Sequence, residues 1–346
     1  MSEPRAGRRW EPDILGEAFE QLTLDLPGGK VATLVRYTPA AAEGAEAAEA
    51  AEAADGATTD VLYVHGWSDY FFQTELAAYW AGQGARFFAI DLHNYGRSLR
   101  PGEEPGYVRN LSDYDADLEA ALKAMGQNGA GARPLILLGH STGGLTLATW
   151  AHRHPGRAAA LILNSPWLEF QATELGRRVI SPLVSLEAQH HPRRPLPPVD
   201  PGIYTRTVSA AFGGEWNYDT AWRPVRGFPV TVAFRHAVFS AQAAVAAGLR
   251  LQLPVLVLLS DNSYLHPRWS EDAARSDVVL DVNVVARRAL SLGSTVSVDR
   301  IPNAMHDVFL SAPEVRAQAY NAITLWGGGY LRALPRLGKA RVTPQG

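Results

Sequence analysis

The stretch PLILLGHSTGGLTLATWAHRH, residues 134–154, restricts the fold more tightly than any other. An apolar run of strand length passes directly into a helical pattern, with a serine between glycines at the junction. Gly139 and Gly143 stand two residues to either side of Ser141. In this GxSxG spacing, strand and helix approach so closely that only glycine fits at the flanking positions, and the serine is held in a strained backbone conformation at the strand's carboxyl end. Such a turn presupposes a sheet with helices packed on it.

The rest of the chain supplies that sheet. Apolar runs rich in Val, Leu and Ile at 21–26, 30–37, 60–66, 85–91, 134–140, 159–165, 253–260 and 295–301 read as strands. Amphipathic stretches at 71–82, 111–125, 143–154, 282–292 and 313–334 read as helices. The first two strands alternate in polarity and predict an antiparallel hairpin at the sheet's edge, whereas the later runs are continuously apolar, as expected of parallel strands covered on both faces. The fold class is α/β, with a mostly parallel central sheet flanked by helices. A length of 346 residues with 47% hydrophobic content suffices for one large core with an inserted subdomain.

Two segments interrupt the rhythm. Residues 39–59, PAAAEGAEAAEAAEAADGATT, form a low-complexity Ala/Glu run that reads as a solvated loop. Residues 171–248 lack strand-helix alternation yet fall between two core strands. They are expected to form a cap over one end of the sheet, with 1–170 and 249–346 as the core.

Several function classes are excluded. The net charge of −3 gives no electrostatic footprint for nucleic acid. With no cysteine, disulfides, thiolate nucleophiles and zinc–thiolate sites are impossible, which fits a reducing compartment. No run of 18 apolar residues and no signal-peptide pattern is present, so a cytoplasmic protein without an integral membrane segment is expected. Neither metal nor cofactor is called for, and the oligomeric state is not legible.

A serine hydroxyl needs a base to take its proton and a carboxylate to orient that base. His306, in RIPNAMHDVFLS, follows a strand near the carboxyl end and is the candidate base. His140 lies inside the turn and packs; His152, His154, His190, His191 and His236 lie at a helix end or in the cap. Backbone donors for an oxyanion are Thr142, directly after the serine, and Trp67, in HGWSDY after the third strand. Three aspartates compete as the acid: Asp261, directly after a strand, and Asp277 and Asp281 in SDVVLDV. Trp67, Tyr70, Phe71 and Trp167 are candidates to line an acyl pocket.

Taken in order, YVHGWSDY, AIDLHNYGRS, LLGHSTGG, PVLVLLS and NAMHDVFLS resemble the α/β-hydrolases, and among them the capped lysophospholipase, monoacylglycerol lipase and serine aminopeptidase-like group. The resemblance covers residues 36–309. It implies an α/β-hydrolase fold and hydrolysis of a small-molecule carboxylic ester by Ser141, His306 and an acid. Asp277 is favoured, since the family's acid opens an Asp-apolar segment that leads into a helix. Asp91 and Arg97 fall in the family's DxxGxGxS loop, with Asn94 for its first glycine, and are expected to stabilise that turn. Tyr70 stands where the monoglyceride lipases carry a second histidine, and the loop after VLVLLS is longer than usual. Haloalkane dehalogenases and epoxide hydrolases of this fold use aspartate at the position of Ser141. An aminopeptidase or amidase, gripping a substrate ammonium with Glu174, Glu187 or Glu215, and a non-catalytic ligand receptor are the alternatives on the same fold.

Overall fold

The computed structural model describes residues 9–39, 58–129, 131–170, 184–197 and 202–330. Most of the Ala/Glu run and Glu174 lie outside these residues.

In chain order the described elements begin β1 (Glu11–Asp13), β2 (Gly16–Asp25), β3 (Val31–Tyr37), β4 (Thr59–Val64), α1 (Thr74–Gly82), β5 (Ala85–Asp91) and α2 (Asp115–Ala124). Then come β6 (Leu135–His140), α3 (Thr142–Arg153), β7 (Ala160–Asn164), α4 (Ile203–Val208) and α5 (Val232–Ala247). The chain continues with β8 (Val255–Ser260), α6 (Val282–Ala289), β9 (Val296–Ile301) and α7 (Pro313–Tyr330). The strands form one sheet in the order β1-β2-β3-β5-β4-β6-β7-β8-β9. Strands β1, β2 and β3 pair antiparallel, and β3 joins β5 antiparallel. From β5 to β9 every pairing is parallel.

Why the inner strands are continuously apolar follows from the pleat, which sends alternate side chains to opposite faces. On one face Leu62, Val64, Leu137 and Leu163 join a cluster with α2, α3, α5 and α6. On the other, Val61, Tyr63, Ile136 and Leu138 pack with α1 and α7. Both faces are dry, so β6 and β8 are buried at every residue. Register keeps equivalent side chains abreast: Leu62 lies opposite Phe88 on β5 and Leu137 on β6.

Two topological features position the site. Strand order reverses at β4, which lies between β5 and β6, and ligands of open α/β sheets bind outside the carboxyl ends of strands at such a switch point. Among the described residues, the chain from β7 to β8 adds no strand to the sheet. Its described part carries a helical stretch at 184–190, then α4 and α5. Among the described residues no helix is long and apolar enough to cross a membrane.

Candidate active site

At the carboxyl end of β6 the chain turns into α3 through Ser141, whose φ of 50° and ψ of −115° lie outside the ordinary regions for an L-residue. Backbone bonds fix it there: Ser141 N donates to Asn164 O at 3.0 Å, and Trp167 N donates to Ser141 O at 3.1 Å. The flanking glycines are demanded by space. A Cβ on Gly139 would sit 2.7 Å from Gly144 N, and one on Gly143 would collide with His65 O.

Around this serine the structure gathers residues from distant parts of the chain. His306, in the loop after β9, places Nε2 3.1 Å from Ser141 Oγ and Nδ1 2.9 Å from Asp277 Oδ2. All three residues are buried. With Nδ1 facing a carboxylate, the neutral ring carries its proton there and leaves Nε2 free to accept from the hydroxyl. Asp277 Oδ1 accepts from the N–H groups of Val279 and Leu280, each at 2.8 Å, so its other oxygen stays on the histidine. The two competing aspartates are occupied elsewhere. Asp281 caps α6, accepting from Asn283 N and Val284 N, and Asp261 accepts from Asn303 N.

The loop after β4 runs against the serine. A Cβ on Gly66 would come within 3.2 Å of Ser141 Cβ. Leu92 N donates to His65 Nε2, so His65 Nδ1 carries the proton and donates to Gly66 O at 2.7 Å. Because a trans peptide holds C=O and N–H on opposite sides, this bond also fixes the direction of the Trp67 N–H. Thr142 is the first residue of α3, where backbone N–H groups have no intrahelical acceptor.

The aromatic candidates separate. The Trp67 ring lies 3.8 Å from that of Phe234 on α5. Tyr70 Oη accepts from Asp219 N at 2.7 Å, and burial pushes its pKa up to about 12. Trp167 N donates to Ser141 O, and Trp167 O accepts from the Gln242 side-chain amide at 3.0 Å. Phe71 is not brought to this group: its ring is fully buried against Phe19, Tyr63 and Phe87 in the core. The expected turn-stabilising pair is present, with Arg97 Nη1 2.8 Å from Asp91 Oδ2 and Asp13 of β1 on the guanidinium's other edge.

Five further polar residues surround the site without having been singled out. Asn164 Nδ2 donates to Asp307 Oδ1 at 2.6 Å and Gln73 Nε2 to Asp307 Oδ2 at 2.9 Å, which anchors the residue after His306. Asp69 lies beside Arg223. Asp69 and Asp307 sit inside the motifs HGWSDY and NAMHDVFLS, where adjacency to the key residues was a usable signal. Arg223, in the aperiodic TAWRPVRG, offered none.

Comparison with known proteins agrees with this architecture. The family described as serine aminopeptidase, S33, matches over residues 57–310. A monoacylglycerol lipase of Mycolicibacterium smegmatis is 29% identical over 107 residues, 31% of this chain and 37% of that one. The human 1-acylglycerol-3-phosphate O-acyltransferase ABHD5 is 32% identical over 80 residues, 23% of this chain and 22% of its own. The chain thus spans well under half the length of these relatives. Among solved structures, a soluble variant of the Saccharomyces cerevisiae monoglyceride lipase superposes with a TM-score of 0.63 at 16% identity, covering 91% of this chain and 98% of that one. A carboxyl esterase from Bacillus coagulans gives 0.60 at 14% identity, covering 91% and 99%. Sheet order, the strained serine turn and a family match over most of the chain lead to one conclusion: this is an α/β-hydrolase, and it belongs to the serine aminopeptidase S33 family.

Proposed function

We propose that this chain cleaves carboxylic esters of small molecules through an acyl-enzyme, with Ser141 as nucleophile, His306 as general base and acid, and Asp277 orienting the histidine. The observation that carries the reading is the run of hydrogen-bonding distances from Asp277 through His306 to Ser141. Ser141 Oγ attacks the ester carbonyl while its proton passes to His306 Nε2, and Asp277 stabilises the imidazolium. The N–H groups of Trp67 and Thr142 hold the carbonyl oxygen as it becomes negative. Collapse expels the alcohol, which takes the proton from His306; water then repeats the sequence on the acyl-enzyme and releases the acid.

In this reading residues 171–248 form a cap, and Trp67, Tyr70 and Trp167 flank the acyl group. A relative described as a monoacylglycerol lipase supports an acyl ester as the substrate. An aminopeptidase would need a carboxylate to hold a substrate ammonium. Glu215 instead lies 2.8 Å from Arg316, and Glu187 is paired with Arg194.

A fluorophosphonate probe and a panel of p-nitrophenyl esters and aminoacyl anilides test the proposal. Parental protein should take the label and turn over esters in preference to anilides. Ser141→Ala should lose both, with turnover falling by about 10⁴-fold or more. Absence of labelling in folded parental protein would leave a non-catalytic receptor.

A further inference from the structure

The segments that carry the Trp67 donor, the Ser141 nucleophile and the His306 base each also carry a buried ionisable residue which ester cleavage does not use. Asp69 lies two residues beyond Trp67, His140 immediately before Ser141, and Asp307 immediately after His306. All three are buried, and one charged or ring atom from each lies within 4.8 Å of the other two. His140 Nδ1 is 3.5 Å from Asp69 Oδ2 and 3.9 Å from Asp307 Oδ2. The fourth member enters from the β7–β8 segment: Arg223 Nε lies 3.2 Å from Asp69 Oδ1, both side chains being buried. Tyr204 and Tyr218 of the same segment present their rings 4.8 and 4.6 Å from the guanidinium carbon.

Two carboxylates in so small a buried volume repel each other, and positive charge beside them offsets that repulsion. Arg223 supplies it permanently and His140 when protonated. A metal ion held by Asp69, His140 and Asp307 would add charge where Asp69 already faces a guanidinium, so the group is better described as an internal ion network than as a metal site.

The neighbours of Asp69 engage the same segment. Ser68 Oγ accepts from Phe228 N at 2.9 Å, Tyr70 Oη from Asp219 N at 2.7 Å, and the Trp67 ring meets Phe234. Residues 67–70 are therefore each held by residues 219–234. On the opposite side the Tyr204 ring meets His306 edge to face, with centroids 5.3 Å apart.

We propose that Arg223 is a positioning residue: through Asp69, His140 and Asp307 it keeps the Trp67 loop, the Ser141 turn and the His306 loop in mutual register. The geometry around the reacting carbonyl then depends on how the β7–β8 segment is seated, and unseating that segment slows chemistry as well as substrate selection. This inference rests on the proposed hydrolase reading and extends it to the cap.

The test uses the full chain and p-nitrophenyl acetate, whose acyl group is too small to draw on cap contacts. Arg223→Met should lower kcat by about 10- to 100-fold, with KM within about threefold, since misplacing an oxyanion donor acts on the transition state more than on ground-state binding. It should also lower Tm, leaving a buried carboxylate uncompensated. The double variant Arg223→Met with Asp69→Asn removes one charge of each sign. It should regain most of the Tm while kcat stays low, a separation that a purely structural ion pair would not produce. Recovery of kcat together with Tm overturns the proposal, as does a kcat for Arg223→Met within threefold of parental. Arg223→Lys keeps the charge and decides the matter if those variants do not fold: a drop of about fivefold or more at near-parental Tm is expected, and a parental kcat overturns the inference. Failure of the underlying reading is separately visible. It would appear as no fluorophosphonate label on parental Ser141, whereas a labelled parent with unaffected Arg223 variants sinks only this inference.

Discussion

Ser141, His306 and Asp277 meet although they lie on three different loops, and the roles of the neighbouring side chains follow from which atoms are already engaged. Asp277→Asn should leave Nδ1 of His306 without its acceptor and cut ester turnover by about 10⁴-fold with little change in Tm. Asp281→Asn should keep near-parental turnover, because asparagine caps a helix as well as aspartate does. Asp261→Asn should behave likewise, since its carboxylate accepts from Asn303 N and an asparagine oxygen can do the same. Steady-state kinetics of the three variants on one activated ester check this. The sequence carried Ser141 and His306 plainly, since each sits in a motif with a definite place relative to a strand. It could not rank the three aspartates from the residues alone, because all lie in the stretch between β8 and α6. What separates them is a tertiary contact, the bridge between Ser263 and Asp277 that folds the loop back after β8. His140 shows the same limit, for its neighbours Asp69 and Asp307 come from remote loops. Burial alone would lower its pKa, but the charges of Asp307 and Asp69 beside it outweigh burial and raise it. The folded chain therefore binds this proton more tightly than the unfolded chain. That contribution to stability is fully present below the ordinary histidine value of about 6.5 and is lost as pH rises through the raised folded value. Between about pH 6 and pH 9 the Tm of the parent should fall more steeply than that of His140→Gln, as thermal unfolding across that range would reveal.

At the level of elements, burial of both faces makes the inner strands the least tolerant part of the molecule. Leu138 is fully buried beneath α1 and α7, so Leu138→Ala should destabilise by about 2–5 kcal/mol in denaturant unfolding. Val298, only partly buried on the edge strand β9, should cost markedly less when changed to Ala. The same property explains which elements were readable. Continuous apolar runs announced β4 to β8, and amphipathic spacing announced α2, α3 and α7. Strand β1 was missed because Glu-Pro-Asp carries no apolar pattern; it is held by pairing with β2 and by Asp13 on the Arg97 guanidinium. Helix α1 begins at Thr74 rather than at residue 71, because Gln73 takes a non-helical ψ of 70°, Thr74 N donates back to Phe72 O at 2.9 Å, and the Phe71 carbonyl that a helix would need accepts from Arg97 Nη1.

Across the whole molecule, the sheet brings together residues from the ends of β4, β6, β8 and β9, and the β7–β8 segment closes on them from outside. Exchange of residues 171–248 for a short linker should therefore slow acetyl as well as long-chain p-nitrophenyl esters, since residues 67–70 would lose their partners. A folded exchange variant with parental acetyl-ester turnover would confine the segment to choosing substrates. A strand precedes this segment and a strand follows it; its engagement with the core was not legible, as neither Arg223 nor Tyr204 lies in a recognisable pattern. Because the segment leaves and re-enters the core at β7 and β8, which are adjacent in the sheet, its length and sequence can drift without disturbing strand register. The Arg223–Asp69 pair sets a boundary to that freedom. A graft from another hydrolase lacking arginine at this point would leave two interior carboxylates with one titratable cation. Chimaeras should therefore be made by transplanting the 65–70 loop and the β7–β8 segment together.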